Sequence, residues 1–230
     1  MADVTLTYKG STIAEMNATG SKTLKTSGKY CEGDIGVSYV KPSSGSGFWN
    51  KNTASNLISR VIDIIDLPSD LTKIGNYAFA DCTMLRLSSL PNSVTEIGRY
   101  AFYNCFYMNL TSLPTSLTNI YPSAFEECHA LKITSIPNGV TSIGERAFYG
   151  CNSITKIEIP VSVYSVGSEA FKNCSNLTEV TFKDILDTVG NNAFASCPKL
   201  TNIYVPWTIN AVSGAPWGAT NATIHYSTIT

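Results

Sequence analysis

Seven cysteines and two histidines are the residues of this 230-residue chain whose types invite a chemical reading. Six of the cysteines, Cys82, Cys105, Cys128, Cys151, Cys174 and Cys197, recur every 23 residues. A thiolate cluster would suit a metal or a redox exchange. Zinc needs convergent ligands in tetrahedral geometry, and the chain has no CxxC pair. Equivalent positions of a repeat point their side chains in parallel, so the ladder is expected to hold buried free thiols packing as small hydrophobes. No metal and no cofactor follow from it. Unoxidised thiols also fit synthesis in the cytosol. Cys31 has no repeat partner, and a buried structural thiol or an intermolecular disulfide are its two readings. His129 and His225 lie far apart, and no Ser, Cys or carboxylate constellation stands near either in sequence. With Gly-rich phosphate loops also absent, no catalytic residue is assigned and the chain is expected not to be an enzyme.

The elements that must position these residues follow from the period itself. The pair Ala-Phe recurs with the cysteines, from Ala78-Phe79 to Ala193-Phe194. Proline recurs from Pro68 to Pro206 with a miss at Lys183, and glycine from Gly75 to Gly190 with Tyr121 as the exception. A fixed period of this length signals a solenoid. In the unit "HALKITSIPNGVTSIGERAFYGC", residues 129 to 151, the stretch ending at Pro137 is a strand stopped by proline. "GVTSIG" is a turn and a second extended piece, and "ERAFYGC" suits one helical turn with Ala147 and Cys151 on one face. Phe148 fills the coil interior. One unit cannot bury its apolar face alone, and stacking buries a continuous core. Some seven coils stacked about 4.8 Å apart predict a rod of roughly 30 Å.

Both ends depart from the period. "RVIDIIDLP", residues 60 to 68, is an opening half-coil with Ser59 at the cysteine position. At the other end Pro216-Trp217 replaces Ala-Phe, Trp217 is placed to cover the core, and "ATIHYSTIT" alternates like a closing edge strand. In the N-terminal segment Val4, Leu6 and Tyr8 alternate before a "KGS" turn, and Ile35, Val37 and Tyr39 alternate again, which predicts antiparallel strands. The predicted organisation is a small β module at 1–42, a linker and N-terminal cap at 43–59, the solenoid at 60–215 and a C-terminal cap at 216–230.

The motif "IGxxAFxxCxxLxxIxIP", in six near-complete copies over residues 60 to 215, resembles the BspA-type leucine-rich repeat. The resemblance implies a leucine-rich-repeat solenoid with a parallel β-sheet on one face and short helical turns, joined here to a small N-terminal antiparallel β module. It implies no single function, because folds host many. "VTLTYKGSTIAEM" with "KTLKTSGKYCEGDIGVSY", and "YVPWTINAVSGAPWGATNATIHY" near the C-terminus, resemble segments of tail-associated virion proteins from phages and prophages of Gram-positive gut bacteria.

Binding is expected on the sheet face. Counted from each cysteine, the fourth and seventh positions should point outward: Arg86 and Ser89, Asn109 and Ser112, Lys132 and Ser135, Thr155 and Glu158, Thr178 and Thr181, Thr201 and Tyr204. The candidate binding residues are Arg86, Ser89, Asn109, Ser112, Lys132, Ser135, Glu158, Thr181 and Tyr204, a hydroxyl-rich face suited to a glycan or a peptide. One irregularity crosses it. The fifth position is apolar at Leu87, Leu110 and Ile133, whereas later coils place Lys156, Glu179 and Asn202 there and make the sixth position apolar. Either the early strands are shifted in register and bury these residues, or an apolar ladder is exposed to a partner. Tyr77, Tyr100, Tyr103 and Tyr149 are expected to pack over the turns.

Composition excludes several function classes. A net charge of −1, with 14% charged residues, argues against binding nucleic acid by phosphate neutralisation. No apolar run approaches the ~20 residues of a membrane helix, so no membrane insertion is expected. The N-terminus has no secretory pattern. The two resemblances together imply a non-enzymatic, tail-associated virion protein, released by lysis. Its N-terminal module would contact other virion proteins, its repeats would face a host-surface glycan or protein, and a homo-oligomer is left open. The alternative is a BspA-like adhesin on the bacterial cell surface.

Overall fold

Short β-branched segments, each followed by proline or glycine, leave room for strands of only two to four residues, so stability must come from neighbouring coils. The computed structural model describes the strand backbones at 4–8, 11–16, 22–24 and 35–39, then Leu67, Ser69 and residues 71–227. In the N-terminal part the strands are β1 (Val4–Tyr8), β2 (Ser11–Met16), β3 (Lys22–Leu24) and β4 (Ile35–Tyr39). β1 pairs antiparallel with β2 and β4, and β2 with β3. The predicted linker and N-terminal cap at 43–59 lie outside the described residues, as does Cys31. So does the opening half-coil, apart from Leu67, which packs against the core.

The repeats wind into a parallel solenoid with two sheets. One contains six two-residue strands: β5 (Lys73–Ile74), β6 (Glu96–Ile97), β7 (Asn119–Ile120), β8 (Ser142–Ile143), β10 (Ser165–Val166) and β12 (Thr188–Val189). Each places one apolar side chain inward, and Ile74, Ile97, Ile120, Ile143, Val166 and Val189 align in register. The second sheet holds β9 (Lys156–Ile159), β11 (Glu179–Phe182), β13 (Asn202–Val205) and β14 (Thr223–Tyr226). It covers only the C-terminal coils. The parallel sheet expected on one face is thus present but narrowed to these coils, a first correction. In the first three coils the corresponding segments form no named strand, and a single bridge, Ser135 to Glu158, joins them to β9.

The interior is a stack of phenylalanines. Phe79, Phe102, Phe125, Phe148, Phe171 and Phe194 lie 5.1 to 5.6 Å apart between ring centroids, within 13° of coplanar. All are fully buried, each worth about 2–3 kcal/mol of transfer energy. The offset between coils sets the ring spacing, and nearly parallel offset rings are a favourable aromatic arrangement.

A second correction concerns the turns. No helix exists among the described residues. The segment around each Ala-Phe pair is instead bracketed by two residues with left-handed backbone. Tyr77, Tyr100, Ser123, Arg146, Glu169 and Asn192 have φ between 54° and 59°. Four residues later Asp81, Asn104, Glu127, Gly150, Asn173 and Ser196 have φ between 56° and 70°. The N–H groups alternate accordingly. Those of Ala78, Ala80 and Cys82 bond within their own coil, to Gly75, Tyr77 and Phe79. Those of Tyr77, Phe79 and Asp81 donate to the next coil, at Arg99, Ala101 and Tyr103. A helix would satisfy its own backbone and leave successive coils unjoined. The alternating turn makes the corner a third ladder, which offsets the ~1–2 kcal/mol that each left-handed residue costs. Glycine is needed where coils touch: a Cβ on Gly167 would lie 2.4 Å from the Glu145 nitrogen.

Trp217 closes the C-terminal end as expected. It is buried, its ring lies edge-on to Phe194 at 6.5 Å, and its carbonyl accepts the Phe194 N–H. Trp207, 5.4 Å from Phe182, completes the cover, and β14 is the edge strand.

Candidate functional site

The exposed face is built by the segment between each cysteine and the next proline. In every coil the third and eighth residues after cysteine are buried, as Leu85 and Leu90 are in one coil and Ile154 and Ile159 in another. Four residues lie between these anchors, one more than simple alternation with inward ends can accommodate, so each coil carries one extra outward residue. The early coils insert it after the fifth position: Leu87, Leu110 and Ile133 are buried, while Ser88, Ser89, Thr111, Ser112, Thr134 and Ser135 face solvent. The later coils insert it after the third, and Ile157, Val180 and Ile203 are buried. Of the two readings of the irregular column, the shifted register holds, and no apolar ladder is exposed there.

All nine candidate binding residues therefore lie on one accessible face. Arg86, Ser89, Asn109, Ser112, Lys132, Ser135, Glu158 and Tyr204 are exposed, and Thr181 is half-buried. The first six stand on non-strand backbone tied between coils by bonds such as Asn109 N–H to Leu87 O and Lys132 N–H to Leu110 O. The face is electrically divided. In the later coils its charges are paired: Lys156 with Glu179 at 3.2 Å and Lys183 with Glu158 at 2.9 Å. In the early coils Arg86 and Lys132 have no carboxylate partner among the described residues. Arg86 instead places its guanidinium 5.9 Å from the Tyr107 ring centroid. Such an arrangement can offer hydrogen bonds, an aromatic surface and positive charge to a ligand, and it presents no nucleophile–base pair.

The cysteine ladder is structural in its geometry. All six thiols are buried and free. Each from Cys105 onward donates to the carbonyl of the phenylalanine 26 residues earlier, as Cys128 Sγ does to Phe102 O at 3.0 Å. Burial pushes the Cys82, Cys105, Cys128, Cys151 and Cys174 thiols well up from the ordinary range. No group of three His, Cys, Asp or Glu among the described residues is arranged to hold a metal ion.

Two arrangements are not legible in the sequence. His225 stacks on Tyr204 at 4.6 Å and bonds Asn202, so it joins the face at its C-terminal edge. On the turn side, Glu126 is buried against Arg146 at 2.8 Å, with Arg146 also lying 4.2 Å over the Tyr149 ring. Desolvation raises the Glu126 carboxyl above the usual glutamate range, against the opposing pull of Ser123 and Arg146.

The BspA type leucine rich repeat region matches residues 59–161 and 141–216 of the chain, in six copies. The chain is similar to the T. pallidum leucine-rich repeat protein, with 31% identity and a TM-score of 0.55 over 60% of this chain and 64% of that one. A leucine-rich repeat protein from Bacteroides ovatus shares the fold, with 24% identity and a TM-score of 0.59 over 90% of this chain and 48% of that one. The chain thus spans less than two thirds of either structure. No curated protein sequence matches it. The matched repeats leave out residues 1–58 and 217–230. On the strength of its repeats, this chain belongs to the BspA type leucine-rich repeat family.

Proposed function

We propose that this chain is a non-enzymatic recognition module whose solenoid face binds a glycan or protein at a cell surface, in the manner of an adhesin. The observation that carries this reading is the division of the face. Backbone and later-coil charges are internally satisfied, while Arg86, Lys132 and the hydroxyls of Ser89, Ser112 and Ser135 are exposed in the early coils. Unpaired cations and hydroxyls on a rigid scaffold lose little entropy on binding. The test is saturable binding of the full chain to intact bacterial and host cells. Arg86→Gln with Lys132→Gln should weaken binding at least tenfold without changing the unfolding midpoint. Absence of saturable binding to every surface tried would overturn the reading.

A second reading places the same module on a phage particle, with residues 1–42 attaching it to other virion proteins. The sequence resemblance of both termini supports it. After prophage induction, mass spectrometry of purified particles, envelopes and cytosol separates the two. A fixed ratio to capsid protein favours the virion, provided that deleting residues 1–42 abolishes incorporation. Enrichment in the envelope alone favours the adhesin.

A further inference from the structure

The repeats provide an internal reference for which surface positions are merely structural. In the later coils four of the polar residues that follow the cysteines bond to one another from coil to coil. Ser175 donates through its N–H and its hydroxyl to Asn152 Oδ1 at 3.3 and 2.9 Å. Asn176 Nδ2 donates to the Asn152 carbonyl at 2.8 Å, and Lys199 Nζ to Asn176 Oδ1 at 2.6 Å. Polar groups there already serve the fold. The same columns change character in the first three coils, where they hold Thr83, Phe106, Tyr107 and His129. These four line an open depression of about 430 Å³, within the range of about 300–1,000 Å³ usual for small-ligand sites.

The lining has the composition of a binding pocket rather than of a solvated corner. Tyr107 is 52% exposed. Phe106 meets the His129 ring edge-on at 4.4 Å, which fixes the imidazole. His129 Nε2 lies 2.6 Å from Glu127 Oε2, so its other nitrogen is left to a ligand. The nearby carboxylates are occupied, Glu127 by His129 and Asp81 by the Asn104 amide at 3.0 Å. The cations are not. Arg86 and Lys132, each on the adjoining face, have no acidic partner among the described residues, and Arg86 leans toward the Tyr107 ring.

We propose that this depression is a subsite for an acidic sugar residue, a pyranose bearing a carboxylate. The weakly positive C–H face of the sugar suits the negative face of Tyr107. The guanidinium of Arg86 receives the carboxylate as a forked, charge-assisted pair, and Thr83 and His129 bond ring hydroxyls. An aromatic platform beside an unpaired arginine selects this class over neutral sugars, which would leave the guanidinium unused. The proposal rests on the recognition role argued above and names its ligand.

The test uses the full chain against immobilised oligosaccharides ending in glucuronate or sialate, matched neutral oligosaccharides, and a peptide with a free C-terminal carboxylate. Preferential binding of at least one acidic glycan is expected. Arg86→Gln should reduce it at least tenfold and bring it to the level of the neutral partner. Tyr107→Ala should weaken acidic and neutral glycans alike, with the unfolding midpoint unchanged in both variants. Equal binding of acidic and neutral glycans, or preference for the peptide, overturns the subsite. Cell binding that persists while no acidic glycan binds overturns the subsite and leaves the recognition role standing. Loss of both overturns the two together.

Discussion

Leu110 and Ile157 are both buried in the same core, at 0% and 2% exposure, although Leu110 lies five residues after its cysteine and Ile157 lies six. The coil holding Leu110 and the coil holding Ile157 therefore place their extra outward residue at different points between the same two buried anchors. Substitutions should read the difference directly. Leu110→Ala is expected to cost about 2–5 kcal/mol and Thr111→Ala no more than about 0.5 kcal/mol. In the later coil the costs move by one place, with Ile157→Ala expensive and Lys156→Ala nearly neutral. Urea unfolding midpoints of the four variants check this; equal costs at Leu110 and Thr111 would refute the register.

The left-handed corner residues give a second expectation. Ser196 is exposed with φ at 56°. Ser196→Gly should stabilise the chain by about 0.5–1 kcal/mol, because glycine adopts this conformation without the Cβ penalty. Ser196→Val should destabilise it by at least about 1 kcal/mol. At Gly150 the sign reverses. Its φ is +70°, and an added Cβ would lie 2.7 Å from Glu127 Oε2, so Gly150→Ala should both destabilise the chain and disturb the Glu127–His129 contact. Thermal unfolding measures the first effect and the His129 imidazole NMR signals the second.

The corner also shows where sequence reading stops. The period alone located the phenylalanine stack, the thiol ladder and the Trp217 cover, because each pairs a residue with its own equivalent one coil away. The turn conformation is not legible in the sequence because Ala147 and Cys151 come to the same side in a helix and in a turn bracketed by left-handed residues. A signal existed in the absence of β-branched residues from the Tyr77–Asn192 and Asp81–Ser196 columns. The face column containing Leu87 was visible as a change of polarity, but only the shared depth of Leu90 and Ile159 decides that it is buried. Glu126 and Arg146 belong to different columns, so their contact follows from no repeat and needed three dimensions.

The thiol ladder should be chemically silent. The thiolate is the reactive species, and burial raises the thiols from Cys82 to Cys174 far from ionisation at neutral pH. Alkylation of the native chain at pH 8, followed by peptide mass spectrometry, should leave these five unmodified. Cys197, in the last coil and tied to Cys174, should modify first among the six. In denaturant all should react. Rapid native modification of Cys128, in mid-ladder, would show that the coils open far more readily than this packing permits.

Glu126 carries a pH expectation whose sign follows from its burial. Its side chain is only 6% exposed and its proton is held more tightly in the folded chain, chiefly because desolvation disfavours the charge. That contribution is fully present below the ordinary glutamate value of about 4.3 and is lost as pH rises through the higher folded value. The wild-type chain should therefore lose some stability on going from the ordinary value toward neutral pH, and Glu126→Gln should flatten that part of the curve. At pH 7 the variant is expected to be as stable as wild type or more so, since a neutral amide still fills the site beside Ser123 without the desolvated charge. Urea unfolding of both proteins between about pH 4 and pH 8 decides it. A variant clearly weaker at pH 7, against a wild-type curve with no such fall, would mean that the Arg146 attraction outweighs burial at this carboxyl.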